Sequence, residues 1–292
     1  MAEYKENHII PKCLLKQWVV KGDNYPGVHV FNVKKDKFQF SSSTKKGAFS
    51  FAAENYIYVP EIDKIRNPKV EKLFGQWETV LEKVIGKIKK NRKELFLDKR
   101  ITFDIFFKAL ISLKYRTKAS YNNIFKHLEN GLIKWELLEK DETQNNKIII
   151  LESIINAIEE ESLSFDNCEI YLWHSSKGEL VTGDEPFIGL DYVDFGNGVF
   201  DYAPFGFIAL TPHFLLQFEK RVSSRSIFHF GELNNNLIHS YNEMIAEQSH
   251  YWLVAKSQAT LKRYTNLIKE DKYIPELRLR QATSLQSGFK IK

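Results

Sequence analysis

Apolar residues recur along this chain with two different periods, and the switches between them mark out its regions. In GVHVFNVKKDKFQFSS, residues 27–42, apolar and polar positions alternate as in a half-buried strand. The alternation folds back on itself, so a hairpin is predicted with Lys35-Asp36 at its tip. ENYIYVP, residues 54–60, reads as a further short extended piece closed by Pro60. From Pro68 the period lengthens. Val70, Leu73, Phe74, Trp77, Val80, Leu81, Val84, Ile85 and Ile88 recur at steps of three and four. That spacing predicts one amphipathic helix of about six turns, and Pro68 is well placed at its start. TFDIFFKALISLKYRTKASYNNIFKHLENG, residues 102–131, predicts a second long helix, with Thr102 as its N-cap and Asn130-Gly131 as its stop. NNKIIILESIINAIEEES, residues 145–162, predicts a third.

After Asp166 the strand pattern returns. CEIYLWHS (168–175) and ELVTGDEPFIGL (179–190) read as two adjacent strands joined by a turn at Ser176-Lys177-Gly178, and FGFIALTPHFLLQFE (205–219) as another. A helix opens at Glu232-Leu233-Asn234 and runs to about residue 249, and HYWLVAKS (250–257) follows as a strand. The polar tail RQATSLQSGFKIK, residues 280–292, is expected to be loosely held. No internal repeat or low-complexity linker interrupts the chain. The expected fold is a single α+β domain over residues 1–292. It has a β-rich part at 1–66, a helical middle at 67–165, strands with one helix at 166–256 and a C-terminal extension at 257–292. The two β-rich parts are expected to meet in space.

Composition narrows the classes of function. The 292 residues are 43% hydrophobic and 14% aromatic, enough for a substantial core. A net charge of +5 permits a polyanionic partner without requiring one, because a nucleic-acid footprint is a local patch rather than a total. The basic run KVIGKIKKNRKELFLDKR, residues 83–100, is such a cluster, or else the wet face and end of a helix. Cys13 and Cys168 lie far apart and have no finger-type spacing, so no structural zinc is expected and the usage fits a reducing compartment. The charged start MAEYKENHIIPK is unlike a signal peptide, and no apolar run reaches the roughly 18 residues a membrane span needs. A cytoplasmic protein without a membrane partner is the expectation. The phosphate-binding P-loop, the GxGxxG fingerprint, the GxSxG elbow and HExxH are all absent. Asp184 followed by Glu219-Lys220-Arg221 matches a restriction-nuclease core poorly in spacing and in its last residue.

Several short motifs in order resemble a family of bacterial and phage proteins known as a domain of unknown function. They are HIIPKCLLKQW, with His8, Pro11, Lys12, Leu15 and Trp18, and LKYRTKASY, with Arg116-Thr117. VTGDEP follows, with Thr182, Asp184 and Pro186, then IALTPHFLL with Pro212 and YNEMIAEQSHYWLV with Asn242. The resemblance spans residue 8 to about 256. The chain departs from it at Ile9, where an aromatic is usual, at Gly183, where Ser is usual, and at Glu185, where Asn is usual. The resemblance implies no activity. It implies which polar residues to inspect together, and a setting among bacterial defence or toxin-like genes.

Those residues each admit two readings. His8 can act as a general acid or base, or cap backbone at the edge of a core. Asp184, before Glu185-Pro186, can aim a carboxylate outward from a strand end or close an Asx turn. Arg116, near Leu110, Ile111 and Leu113, needs an anionic partner, which could be Asp184, Glu71 or a phosphate. Asn242 can orient Asp184 or His8, or bond backbone. Glu247 with His250, and His239 with Glu243, have helix spacings seen at metal sites but lack matching motifs elsewhere. One expectation is a nucleic-acid-cleaving toxin or anti-phage effector with His8, Arg116, Asp184 and Asn242 as catalytic residues and Lys12 and Thr182 binding substrate. No metal ligands are assigned, the cofactor is left open with a divalent ion as one candidate, and nucleic acid or a partner protein of a defence system is the partner. The alternative is a non-catalytic binding or sensor protein of a defence system, in which the same residues form a buried network. A third reading is group transfer from a nucleotide such as NAD, for which no fingerprint is present.

Overall fold

The computed structural model describes residues 6–44, 48–62, 65–90, 103–122, 143–163, 168–194, 200–220 and 227–268, and within them the chain is α+β. It opens with strand β1 (Glu6–His8), a helical turn α1 (Lys12–Leu15), and strands β2 (Val20–Lys21), β3 (Pro26–Asn32), β4 (Lys37–Ser42), β5 (Ala53–Asn55), β6 (Glu61–Ile62) and β7 (Ile65–Arg66). Helices α2 (Lys69–Lys90), α3 (Phe103–Tyr115) and α4 (Thr143–Leu163) make the middle. Strands β8 (Cys168–His174), β9 (Thr182–Gly183), β10 (Phe187–Asp194), β11 (Phe200–Thr211), β12 (Phe214–Lys220) and β13 (Ile227–Glu232) follow. Helix α5 (Asn235–Gln248), β14 (Trp252–Ala255) and α6 (Gln258–Tyr264) end the described chain.

The chain forms two compact units, each assembled from separated stretches. Unit 1 comprises residues 1–11 and 50–163, and unit 2 comprises 12–49 and 164–292. In unit 1 the stripe expected on α2 is buried at seven of its nine positions, with Leu73 and Val80 half-buried. Val70, Phe74, Trp77, Leu81, Val84, Ile85 and Ile88 face inward, and α3 packs between α2 and α4. The partners are Phe106, Phe107, Leu110 and Ile111 of α3 and Ile150, Leu151, Ile154 and Ile158 of α4. Strand β1 runs antiparallel to β5, with His8 opposite Ala53.

Among the described residues unit 2 holds two sheets. The first has the order β10-β11-β12-β8-β13, antiparallel except where β13 runs parallel to β8. The second has the order β2-β3-β14-β9, with β4 also paired to β3. The pairing of β3 with β14, Phe31 opposite Leu253, joins the amino-terminal hairpin to a strand more than two hundred residues later. The two β-rich parts of the sequence thus do meet, within this unit. Helix α5 is capped by the Asn234 side chain, which accepts from Leu237 N–H at 2.9 Å, and α6 by Ser257, which accepts from Thr260 N–H at 3.1 Å.

Four elements differ from the sequence reading, each for a local reason. The second helix stops at Tyr115: Thr117 Oγ1 accepts from Ser120 N–H and starts a new turn, while the Ser120 hydroxyl takes the Lys114 carbonyl. Thr102 and Asn130-Gly131, expected as its ends, lie outside the described residues, as do residues 91–100 of the basic run and the tail from 269. Of ENYIYVP only Glu54-Asn55, the end of β5, is extended; the chain then turns, with Tyr56 at φ 55° and Val59 N–H donating to its carbonyl at 3.2 Å. Residues 168–190 are not a hairpin: β9 pairs with β14 in one sheet and β10 with β11 in the other, the switch falling at Asp184-Glu185-Pro186. Residues 205–219 are not one strand but two, because Thr211 Oγ1 accepts from the N–H groups of His213 and Phe214 and turns the chain at Pro212-His213.

Two glycines should respond in opposite senses when changed to alanine, measured by thermal melting. Gly75 lies on the exposed side of α2 with open space where a Cβ would stand, so Gly75→Ala should stabilise by about 1 kcal/mol. Gly178 turns the chain at φ +63° under the His213 ring, so Gly178→Ala should lower the melting temperature.

Candidate functional site

The residues singled out by chemistry fall into two polar clusters, one in each unit. In unit 1 the cluster is built on Arg116, at the point where α3 ends. Its side chain is 0% exposed, so its charge must be met inside the protein. Arg116 Nη1 donates to Glu78 Oε1 at 2.7 Å, and Nη2 donates to the His8 carbonyl. The guanidinium lies over the Phe74 ring at 4.8 Å and near the Tyr58 ring at 5.5 Å. The Tyr58 hydroxyl donates in turn to the Arg116 carbonyl. Helix α2 provides Glu71, Phe74 and Glu78 at steps of three and four, so one face of one helix supplies two acids and a ring to a single cation.

Electrostatics follow from that arrangement. Burial works against the Arg116 charge, but Glu78, Tyr58 and Glu71 outweigh it and hold the guanidinium firmly protonated. Burial pushes the Tyr58 phenol up, against the pull of Arg116. Burial also raises the Glu71 carboxyl, with Arg116 pulling the other way and Glu78 adding to the rise. Asn7, fully buried beside His8, accepts from Tyr58 N–H at 3.2 Å through Oδ1. The Arg116 guanidinium thus lies beside two acids, Glu78 in direct contact and Glu71 at longer range.

In unit 2 the second cluster grips the stretch from Glu179 to Asp184. Asp184 is 0% exposed, and its carboxylate accepts three successive backbone N–H groups at the turn between α5 and β14. Oδ2 takes His250 at 3.2 Å, and Oδ1 takes Tyr251 at 3.0 Å and Trp252 at 2.8 Å. Asp184 N–H also donates to the Trp252 carbonyl at 3.1 Å. Burial raises this carboxyl, opposed by the N–H groups of Trp252 and Tyr251 and by the His250 imidazole. Asn242, also 0% exposed, behaves as a short piece of strand: Oδ1 accepts from Val181 N–H at 2.9 Å and Nδ2 donates to the Glu179 carbonyl at 2.9 Å. Between them Leu180 gives its carbonyl to Trp18 Nε1 at 2.8 Å. Thr182 is buried in β9 opposite Val254.

His8 and Arg116 therefore come together in unit 1, but through the His8 carbonyl, while Thr182, Asp184 and Asn242 serve one stretch of backbone in unit 2. Lys12 is exposed on α1. Arg116 takes Glu78 as its direct ion-pair partner, with Glu71 close enough to act on its charge. Sequence reasoning missed Glu78, Tyr58, Asn7 and the backbone role of Trp18. Glu78 had a readable signal, an acid four residues after Phe74 and three before Leu81 on an otherwise apolar stripe. His239 and Glu243 pair with each other at 3.2 Å on α5. Among the described residues no group of three or more His, Cys, Asp or Glu side chains could hold a metal ion, and no helix is long and apolar enough to cross a membrane.

A Gly at 183 is also explained by this packing, because a Cβ there would run into Ser249 Oγ and sit 3.1 Å from the Trp252 carbonyl. In both clusters the buried charged and amide groups bond protein groups, while Arg116 Nε and Thr182 Oγ1 are buried without a hydrogen-bond partner among the described residues.

A family model described as a protein of unknown function (DUF4238) matches residues 6–259. No curated protein and no solved structure matches the chain.

Removing the Asp184 carboxylate orphans three N–H groups in a turn. Asp184→Ala should cost about 3 kcal/mol or more and lower the melting temperature by roughly 6 to 12 °C, read by calorimetry or circular dichroism. Glu71 gives a pH signature. Its folded carboxyl is raised above the ordinary value, so the folded state holds a proton that the unfolded chain has lost, and stability falls as pH rises through the folded value. Glu71→Gln removes that fall. Its melting temperature relative to wild type should therefore climb as pH is raised from about 4 to about 7, near and above the ordinary carboxyl range.

Proposed function

The chain belongs to that family of unknown function, and we propose that it is a non-catalytic binding or sensor protein whose polar signature residues hold each unit in shape. The supporting observation is the commitment of those residues. Arg116, Asp184 and Asn242 are each 0% exposed, and each gives its hydrogen bonds to protein groups. A catalytic group must reach the proton or phosphorus it acts on. Here the carboxylate of Asp184 is spent on three backbone donors, and the amide of Asn242 on a strand. Such networks rigidify a fold and select one arrangement of it.

The reading as a nucleic-acid-cleaving toxin is decided by the same variants. Purified protein incubated with tRNA, mRNA and DNA, with and without Mg²⁺, should leave all three intact. In cells, Asp184→Ala and Arg116→Ala should lose function only in step with lost abundance, measured by blotting alongside the phenotype. Cleavage by wild type that is abolished in a variant of unchanged melting temperature and abundance would sink the proposal.

A further inference from the structure

Strand β4 forms the margin of the second sheet of unit 2, and its composition is unlike that of a solvated margin. Phe38 and Phe40 alternate with Gln39 and Ser41, which places the two rings on one face. On that face they stand opposite Phe31 and His29 of β3, with ring centroids 4.9 Å apart in each pair. Tyr25 extends the row, 5.8 Å from Phe40. Tyr25, His29, Phe38 and Phe40 are all half-buried rather than sealed, and neighbouring rings on one face of a strand stand about 7 Å apart. Among the described residues the outer edge of β4 pairs with no strand.

Cations lie along the same hairpin and beside one ring of the row. Lys21, Lys34, Lys35 and Lys37 are exposed on the hairpin and its approach, against Asp23 and Asp36. From the other side α6 brings Lys262, whose Nζ lies 6.0 Å from the Phe38 ring centre. At the hairpin tip Lys34 Nζ lies 5.7 Å from the Tyr251 ring centre. One lysine thus lies beside a ring of the row, and the hairpin tip next to it carries three more that are exposed. Arg263 of α6 lies nearby in sequence and is 3.7 Å from Glu179.

We propose that the β3–β4 hairpin of unit 2, the rings of Phe38, Phe40, His29 and Tyr25 with Lys262 beside them and the exposed Lys34, Lys35 and Lys37 at the hairpin tip, binds single-stranded nucleic acid. Every base presents a flat face to an aromatic ring, and the flanking ammonium groups meet the phosphates, which gives affinity with little dependence on sequence. A duplex hides its base faces, and a folded acidic protein offers charge without planar rings to stack. Charge complementarity and half-exposed rings on one margin together select a single strand over both. This inference names a ligand for the binding protein proposed above and rests on that reading.

The test uses the full-length chain and a short fluorescein-labelled oligouridylate, read by fluorescence anisotropy across a salt series. Wild type should bind, with affinity falling as salt rises. The triple variant Lys34→Glu, Lys35→Glu, Lys37→Glu alters only exposed side chains. It should weaken binding by about tenfold or more and reduce the slope of log affinity on log salt by about two. Phe40→Leu, checked by melting for an intact fold, should weaken binding without changing that slope. Failure of wild type to bind at low salt, or equal affinity of the triple variant, overturns the proposal. So does binding of a duplex or of polyglutamate as tight as that of the oligouridylate. Binding followed by cleavage would overturn the non-catalytic reading while leaving this surface in place. Absence of binding would remove the surface and leave that reading to its own abundance test.

Discussion

One carboxylate settles the geometry of unit 2. Backbone N–H groups where a helix hands over to a strand need acceptors. His250 and Tyr251, between α5 and β14, and Trp252, the first residue of β14, supply three such N–H groups, and Asp184 receives all of them. Because Asp184 sits directly after β9, the same contact sets where β9 lies against β14 and where the chain leaves for β10 in the other sheet. Asn242 and Trp18 complete the grip upstream, taking the backbone of residues 179–181. The cluster reads as a clamp on a strand that changes sheets.

Unit 1 meets the complementary difficulty, a buried cation. Arg116 is surrounded by Glu78, the His8 carbonyl and two rings, with Glu71 at longer range. Removing one member of such a set leaves an uncompensated charge, which is why breaking a buried pair is far costlier than the pair is stabilising. Both clusters spend the signature residues of the chain on polar groups that the fold itself creates.

Much of this was legible in the sequence. The three- and four-residue spacing on α2 marked its buried face, Leu73 and Val80 being only half-buried, and the alternation of residues 27–42 marked the hairpin. The residues to inspect were legible too, since Arg116, Thr182, Asp184 and Asn242 are all buried polar positions. Their partners were not. Asp184 bonds main-chain N–H, and backbone carries no signature in a residue string. The sheet change at Asp184-Glu185-Pro186 was hidden because both sides of it look like strand. Thr211 split residues 205–219 by a side-chain bond to two amides, a choice that hydrophobic alternation does not report. Glu78 was passed over because a charged residue on a helix is ordinarily read as surface.

The alternating ownership of the chain by the two units has a consequence for its synthesis and dissection. Residues 12–49 belong with 164–292, and 1–11 with 50–163, so ownership changes three times along the polypeptide. Strand β3 leaves the ribosome early yet waits for β14 before its inner edge is covered, which makes closure of that sheet a late, long-range event. No single cut in the gene releases either unit whole, and a truncated product from either end would carry an uncovered strand margin prone to pairing with its neighbours.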